Sequence, residues 1–331
     1  MACTPVTDSS SAPPDLAQLR APVAHELELV EGELRQVVNS APELFDAIAD
    51  QLVLRGKRLR PLTLLLCARV GPEAPAAVSL AVAVEEVHLA SLLHDDVLDG
   101  AELRRGRPSA PAALGIRRAV LAGDYLAAAA YQQLMDLRDT EVVAALSHAV
   151  LRMTRAEVVA TSAAGQLLSE AQYLDLISGK TAELFAAAAY LGAVAGHAPQ
   201  ETAEQLRSYG HDLGVAFQIR DDLLDLYGDS HRLGKPVGHD LAAGLYTLPV
   251  IHAAESAGGA ALRERLVALR ETPEEARLVE ASAALTRELG GTQYAEQVMR
   301  RYAEQATAAL PELPTRPALV GLAAYAVTRT R

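Results

Sequence analysis

From Asp15 onward the sequence is a nearly unbroken succession of Ala- and Leu-rich segments whose apolar residues recur three and four positions apart. That pattern restricts the fold most. Apolar side chains at this spacing line one face of an α-helix, whereas a half-buried strand needs strict alternation, which does not occur here. Val and Ile are scattered and Ala is the best helix former, so local propensity agrees with periodicity. Helices are expected over 15–39, 42–54, 60–70, 74–98, 117–138, 140–162, 170–195, 199–227, 241–256, 259–270, 273–289, 292–309 and 316–328, with no strand pair and no internal repeat. No linker divides the chain. The expected architecture is therefore one all-α domain over 15–331, a single-domain helical bundle of largely antiparallel neighbours. Residues 1–14, MACTPVTDSSSAPP, lack the layout of a signal peptide and read as a disordered lead-in.

Composition removes several classes of function. A formal charge of -12 over 331 residues argues against a general nucleic-acid binder, which would carry a basic field. Two cysteines, Cys3 and Cys67, are too few and too far apart for a disulfide framework or a zinc cluster. Cys67, inside LTLLLCARV, is expected to be a small buried apolar residue. No window is expected to reach the length of a membrane span, and LFAAAAYLGAVAG fits a buried helix. A reducing cytoplasm is the simplest compartment.

The chemistry is carried by two aspartate groups. HDDVLDG contains Asp95, Asp96 and Asp99, and RDDLLDLYGD repeats the spacing with Asp221, Asp222 and Asp225. First and fifth positions share a helix face, so Asp95 with Asp99, and Asp221 with Asp225, can converge on one ligand. A solvated helix end is the plain alternative for either group. Negative charge at a helix C-terminus opposes the macrodipole, however, and both groups follow strongly apolar helices. The same costly arrangement twice points to a metal, and hard oxygen ligands suit Mg²⁺ shared with substrate phosphates. Arg104 and Arg105 follow the first group within a short loop, and RGKRLRP supplies Lys57 and Arg60. Guanidinium groups fork onto phosphate oxygens. Two cationic groups beside two carboxylate groups imply two phosphorylated substrates.

RGKRLRP, HLASLLHDDVLDGAELRRG, LAGDYL, SGKTAELF, LGVAFQIRDDLLD and LGKPVGHDL stand in the order found in the trans-type (all-E) isoprenyl diphosphate synthases, which the chain resembles from about Gly56 to Pro249. The resemblance implies an all-α fold around a deep central cavity, a homodimer, and condensation of an allylic diphosphate with isopentenyl diphosphate to an all-trans product. It implies Mg²⁺ on Asp95, Asp96, Asp99, Asp221, Asp222 and Asp225, with three ions when substrate is bound. Arg104, Lys180 and Lys235 would hold the allylic diphosphate, with Thr181 and Gln218 near its reacting end. Lys57, Arg60, His88 and Arg105 would hold isopentenyl diphosphate. His88 matches the family position two helical turns before Asp95; His94 has no such support and is read as structural. For Asp124, in LAGDYL, anchoring a neighbouring helix is at least as good a reading as catalysis.

Product length is expected to depend on the depth below the first aspartates. Ser91 lies about 6 Å and Val87 about 12 Å below Asp95 at about 1.5 Å per residue. Ala90 and Ser91 occupy positions where short-chain members of the family carry aromatic stoppers, so small residues there favour C20 or longer. Ala127 to Ala130 are expected across the tunnel, with Tyr131, Leu134 or Met135 as deeper stops. Two departures from the family stand out: Leu245, where Lys follows the glycine in LAAGLYTLP, and Pro111, where Asn is common. A class I terpene cyclase would share the fold but need no second diphosphate site. A non-catalytic subunit would generally lose aspartates that are complete here. Brief membrane contact during release of a lipid product is compatible with the sequence, without an anchor.

Overall fold

The computed structural model describes residues 14–53, 56–104, 106–228, 238–272 and 275–330. Short helices α1 (Leu16–Arg20), α3 (Pro42–Phe45) and α4 (Ala49–Val53) surround the longer α2 (Ala24–Asn39) and α5 (Leu59–Ala68). Then come α6 (Ala77–Leu98), a hairpin of β1 (Leu103–Arg104) and β2 (Arg107–Pro108), α7 (Ala110–Leu114), α8 (Ile116–Asp136) and α9 (Thr140–Ala163). Next are α10 (Glu170–Ile177), a π-helical turn (Ser178–Ala182), α11 (Glu183–Ala195) and α12 (Gln200–Tyr227). The remainder is α13 (His239–Ala242), α14 (Leu248–Glu255), α15 (Ala260–Glu271), α16 (Ala276–Glu288), α17 (Gly291–Ala309) and α18 (Arg316–Thr328).

The fold is all-α, as the periodicity predicts, and the departures have local causes. Pro22 offers no N–H to a continuous helix, and the chain tightens into a 3₁₀ turn over Ala21–Val23 between α1 and α2. The segment expected as 241–256 divides into α13 and α14, with Pro249 in the first turn of α14. Contrary to the expectation of no strand pair, Leu103 pairs with Pro108 and Arg104 with Arg107 in an antiparallel ladder. Two residues a side are too few for an alternating pattern to be read. The unforeseen α7 explains Pro111: it lies in the first turn, where a fixed φ is favourable, behind a Ser109 side chain that caps Ala112 N–H at 3.3 Å.

Helix α11 runs through the middle of the bundle, packed against α5, α6, α9 and α12, and nearly all its side chains are buried. Contrary to the expectation that no segment is long enough, α6 has the length and apolarity of a membrane span, but it is mostly buried inside the bundle. Cys67 is fully buried, and burial pushes its thiol well up. Arg58 turns inward in the left-handed region (φ 51) and meets Glu85 of α6 at 2.7 Å, both side chains sealed from solvent. That anchor leaves Lys57 and Arg60 on either side of it at the start of α5.

Glu86 interrupts the apolar core. It is 0% exposed, and burial together with the charge of Glu33 on α2 pushes its carboxyl up to about 8 from 4.5. Its hydrogen bonds come from Gln133 of α8. Between those two values the folded chain keeps a proton that the unfolded chain has released, so stability falls as pH rises across the window and levels off above it. Glu86→Gln has no proton to hold. Its melting temperature is expected to exceed the parent's by a margin that widens from about pH 5 to about pH 8. A margin independent of pH in thermal melts would contradict this account.

Candidate active site

The first aspartate group closes the C-terminal turn of α6. Its members do not share one direction. Asp96 is 2% exposed and takes Arg104 Nε at 2.6 Å, which ties the β1 strand to the helix end. Asp95 faces a cavity, together with Lys180. Burial pushes Asp95 up to about 6; Lys180 and Arg104 pull it down, and Glu157 and Asp99 push it further up. Asp99 is raised for the same reason, burial first, against the pull of Lys180, His239 and Arg104.

The π-helical turn joins this group to the second. Lys180 extends from it towards Asp95 and pairs with Glu157 Oε2 of α9 at 2.6 Å. Burial alone would lower the Lys180 ammonium, but Asp95 and Glu157 outweigh it and the net direction is up. The next residue, Thr181, donates to Gln218 Oε1 at 2.6 Å, and Gln218 Nε2 donates to Asp222 Oδ1 at 2.8 Å. Tyr173 of α10 donates to the other Asp222 oxygen at 2.5 Å. Burial, with Asp240 and Asp221 nearby, pushes Asp222 up to about 8 despite these two donors. One turn of irregular helix thus presents a cation to one carboxylate group and a hydroxyl, relayed through Gln218, to the other.

Asp221 and Asp225, expected to be able to converge on one ligand, each hold a partner of their own. Asp225 Oδ2 accepts the backbone N–H of Asp240 at 3.0 Å, and Asp221 Oδ1 lies 2.7 Å from Arg329 Nη2. Like charges on one helix face repel, and each carboxylate has taken a separate donor.

Beyond Asp221 lies the second cationic group. Arg60 Nη1 meets His88 Nε2 at 3.1 Å, and its guanidinium lies 4.5 Å from the Phe185 ring centroid. Burial lowers Arg60 to about 10, against the opposing pull of Glu85 and Asp221. Arg329 mirrors it, 3.9 Å over the Phe217 ring, and the two phenylalanines touch at 5.5 Å. Lys57 Nζ lies 5.6 Å from the ring of Tyr325 on α18. Lys57 and Asp221 therefore meet Tyr325 and Arg329 of the C-terminal segment, which no motif marked. Lys235 and Arg105 lie outside the described residues.

The cavity below Asp95 has a volume of about 460 Å³ and is lined by Val87, Ala90 and Ser91 of α6, Ala127 of α8, and Val150 and Met153 of α9. His94 also lines it, with Nε2 at 3.3 Å from Val120 O and 3.4 Å from Asp124 Oδ1. A Cβ on Gly123 would stand 2.3 Å from the His94 ring, so only glycine lets α8 approach here. Of the expected alanine run, Ala127 alone lines the cavity; Ala128 is exposed and Ala130 is buried in the helix packing. Met135 is 64% exposed, so helical rotation carries it away from the tunnel and it is no stop. Leu245 is half-exposed, its N–H bonded to Asp240 O at 2.8 Å.

Among the described residues no three His, Cys, Asp or Glu side chains form a ready-made metal cage. The donor set nevertheless fits Mg²⁺, which takes one or two carboxylates and completes its shell with phosphates and water. Asp95, Asp99 and Asp222 are raised by burial first and by neighbouring carboxylates second, so their charged forms are held at a cost that a cation would offset. Glu157, Tyr173, His239 and Arg329 are the contributors that sequence reasoning missed. Glu157 and Tyr173 carried no signal, being single polar residues on amphipathic helices. His239 stood inside GKPVGHDL and could have been marked by its place beside the second group.

The residues 42–285 match the model of a family described as polyprenyl synthetase. The chain is 36% identical over 324 residues to octaprenyl diphosphate synthase of Escherichia coli, covering 96% of this chain and 100% of that one. It is 38% identical over 320 residues to nonaprenyl diphosphate synthase of Mycobacterium tuberculosis, with 95% and 94% covered. Its fold superposes with a TM-score of 0.89 on a polyprenyl synthase from Caulobacter crescentus complexed with calcium and isoprenyl diphosphate, at 35% identity, with 96% and 98% covered.

Proposed function

Since this chain belongs to the polyprenyl synthetase family, we propose that its two aspartate groups and two cationic groups divide the work of joining two diphosphates. The chain is a trans-polyprenyl diphosphate synthase: it condenses an allylic diphosphate with isopentenyl diphosphate, giving an all-trans product of C20 or longer. The observation that carries the division of labour is the Lys180–Thr181 turn: Lys180 shares the apolar cavity with Asp95, and Thr181 is linked to Asp222 through Gln218.

Mg²⁺, three ions with substrate bound, held by Asp95, Asp96, Asp99, Asp221, Asp222 and Asp225 with diphosphate oxygens, would supply the positive charge that stabilises the leaving diphosphate. Lys180 and Arg104, released from Glu157 and Asp96, grip the same diphosphate, and Lys235 joins them. Thr181 and Gln218 sit at the reacting end and fix its orientation through Asp222. Ionisation of the allylic C–O bond leaves a delocalised cation, and fixed charges aimed at the departing oxygens favour that step. Lys57, Arg60, His88 and Arg105 hold isopentenyl diphosphate, with Arg329 as a further cation. Its double bond attacks C1 of the cation. A proton then leaves C2 of the former isopentenyl unit for the departed diphosphate, and the product is again allylic and five carbons longer. The apolar walls at Val87, Ala90 and Val150 keep water from the cation and receive the tail.

Ile116 and Leu121 on α8, with Leu151 and Val158 on α9, are exposed apolar side chains that a second copy would cover, making a homodimer. A reducing cytoplasm, with transient membrane contact at product release, completes the reading.

The test is incubation with Mg²⁺, isopentenyl diphosphate and, separately, C5, C10, C15 and C20 allylic diphosphates, with products identified by mass spectrometry. Products in five-carbon steps to C20 or beyond are expected. Cyclic hydrocarbon formed without consumption of isopentenyl diphosphate would overturn the reading.

A further inference from the structure

Helices α6 and α9 each pack on α8 and α11 but hardly on one another, and the cavity fills the space between them. Helix α8, where the deeper stops were expected, contributes only Val120 and Ala127; Tyr131, Leu134 and Met135 are not among the lining residues. The wall facing α6 is therefore α9. It begins at Glu157, which pairs with Lys180 at the Asp95 end. Met153 follows one helical turn deeper, about 6 Å at about 1.5 Å per residue, and Val150 lies nearly a further turn below it. Ser91 stands at the matching step below Asp95 on α6, so Met153 lies at about the depth of Ser91. The side chains there differ in what they can do. Ala90 is small, and Ser91 Oγ is tied to His88 O of its own helix at 2.8 Å, so the α6 side is open and fixed. Val87 and Val150 are β-branched and strongly prefer one rotamer in a helix. Met153 is half-buried, packed on the core yet facing the cavity, and unbranched with three rotatable bonds. Of the apolar side chains lining the cavity below Asp95, it is the one long enough to obstruct the passage and flexible enough to leave it.

We propose that Met153 of α9 is the adjustable stop of the hydrocarbon tunnel and a determinant of product length. The proposal rests on the reading of the chain as a synthase of C20 or longer products. A growing tail gains burial with every prenyl unit that passes this level. Methionine yields to the tail by changing rotamer, and it resists once the space it can fold into is used up. An aromatic ring at the same place would fill the passage and yield less. A methyl group would not obstruct it at all. Product length is thereby set on α9 as well as on α6, across one and the same passage.

Four proteins decide the matter: the parent, Met153→Phe, Met153→Ala and, as a control, Met135→Ala, which removes an exposed side chain outside the cavity. Each is given isopentenyl diphosphate and Mg²⁺ with a C5 or a C15 starter, and product lengths are read by mass spectrometry. Met153→Phe is expected to shift the main product down by at least one five-carbon unit, and Met153→Ala to shift it up by at least one. Met135→Ala should keep the parent's distribution. The first addition to the C5 starter should run close to the parent's rate in both Met153 variants, because so short a tail ends above Met153. Unchanged lengths in folded, active Phe and Ala variants overturn the stop and leave the synthase reading intact. A shift of both variants in the same direction overturns it as well. A parent that extends no starter overturns the synthase reading, and the stop with it. Should Met153→Phe not fold, the upward shift of Met153→Ala or its absence decides.

Discussion

Asp95→Asn is expected to lower kcat/KM for the allylic diphosphate by about 10²–10³-fold, the scale of losing one preorganised charge-stabilising group. Asn keeps the shape of the side chain and removes only its charge. In the folded chain Asp95 lines the cavity and its carboxyl is pushed up to about 6, so its negative charge is held at a cost. That cost is tolerable where a cation and a diphosphate are to be assembled. The substitution should leave KM for isopentenyl diphosphate nearly unchanged, because Lys57, Arg60 and His88 lie on the other side of Asp221. Steady-state kinetics at several Mg²⁺ concentrations make the distinction. Activity within a few-fold of the parent at saturating Mg²⁺ would remove Asp95 from the first metal group.

Arg60→Met should do the reverse. The half-buried guanidinium lies between His88 and the Phe185 ring, and desolvation has already lowered its pKa to about 10. A cation so desolvated gains a large part of its interaction when a diphosphate arrives. Removing one side of a buried charge pair typically costs about 2–4 kcal/mol, or roughly 30- to 1000-fold. The loss should appear as a raised KM for isopentenyl diphosphate, with KM for the allylic starter little changed. Met preserves most of the stem that packs on Phe185, so the folded state should survive. An equal rise in both KM values would mean that Arg60 serves the general field of the site and not one substrate.

Periodicity was sufficient for the fold because almost every helix has an apolar stripe of its own, from Leu27, Val30 and Leu34 in α2 to Ala295, Val298 and Met299 in α17. Side-chain pattern carries no information about backbone irregularities only a few residues long. The π-helical turn, the 3₁₀ turn before α2 and the four-residue hairpin ladder were accordingly invisible or visible only as a proline. The aspartates were legible because the same costly group occurs twice. Which oxygen faces what was not: Asp96 and Asp225 turn inward to Arg104 and Asp240, a matter of helix rotation and of the loop that follows. Glu157 and Arg329 reach the site from segments far away in the chain, and tertiary placement alone brings them in. Glu86 could have been noticed, since EE inside an apolar helix is unusual, but its depth depends on how closely α8 packs on α6.

The turn over Ser178–Ala182 has a meaning for how this protein can change over time. A π-helical turn accommodates one residue more than a regular helical turn would. Restoring regular helix by removing one residue would rotate everything on one side of the cut by about 100° relative to the other. Lys180 could then face the first aspartates, or Thr181 could face Gln218, but the two could not do so together. The segment is also tightly seated: a Cβ on Gly179 would stand 2.8 Å from Ala156 Cβ, which leaves little room for an alternative seating. Substitutions here change one contact at a time and leave a graded path for selection, whereas a single-codon deletion separates the two halves of the site at once. The lineage of such a chain is therefore free to drift in spelling at this point but is locked in length.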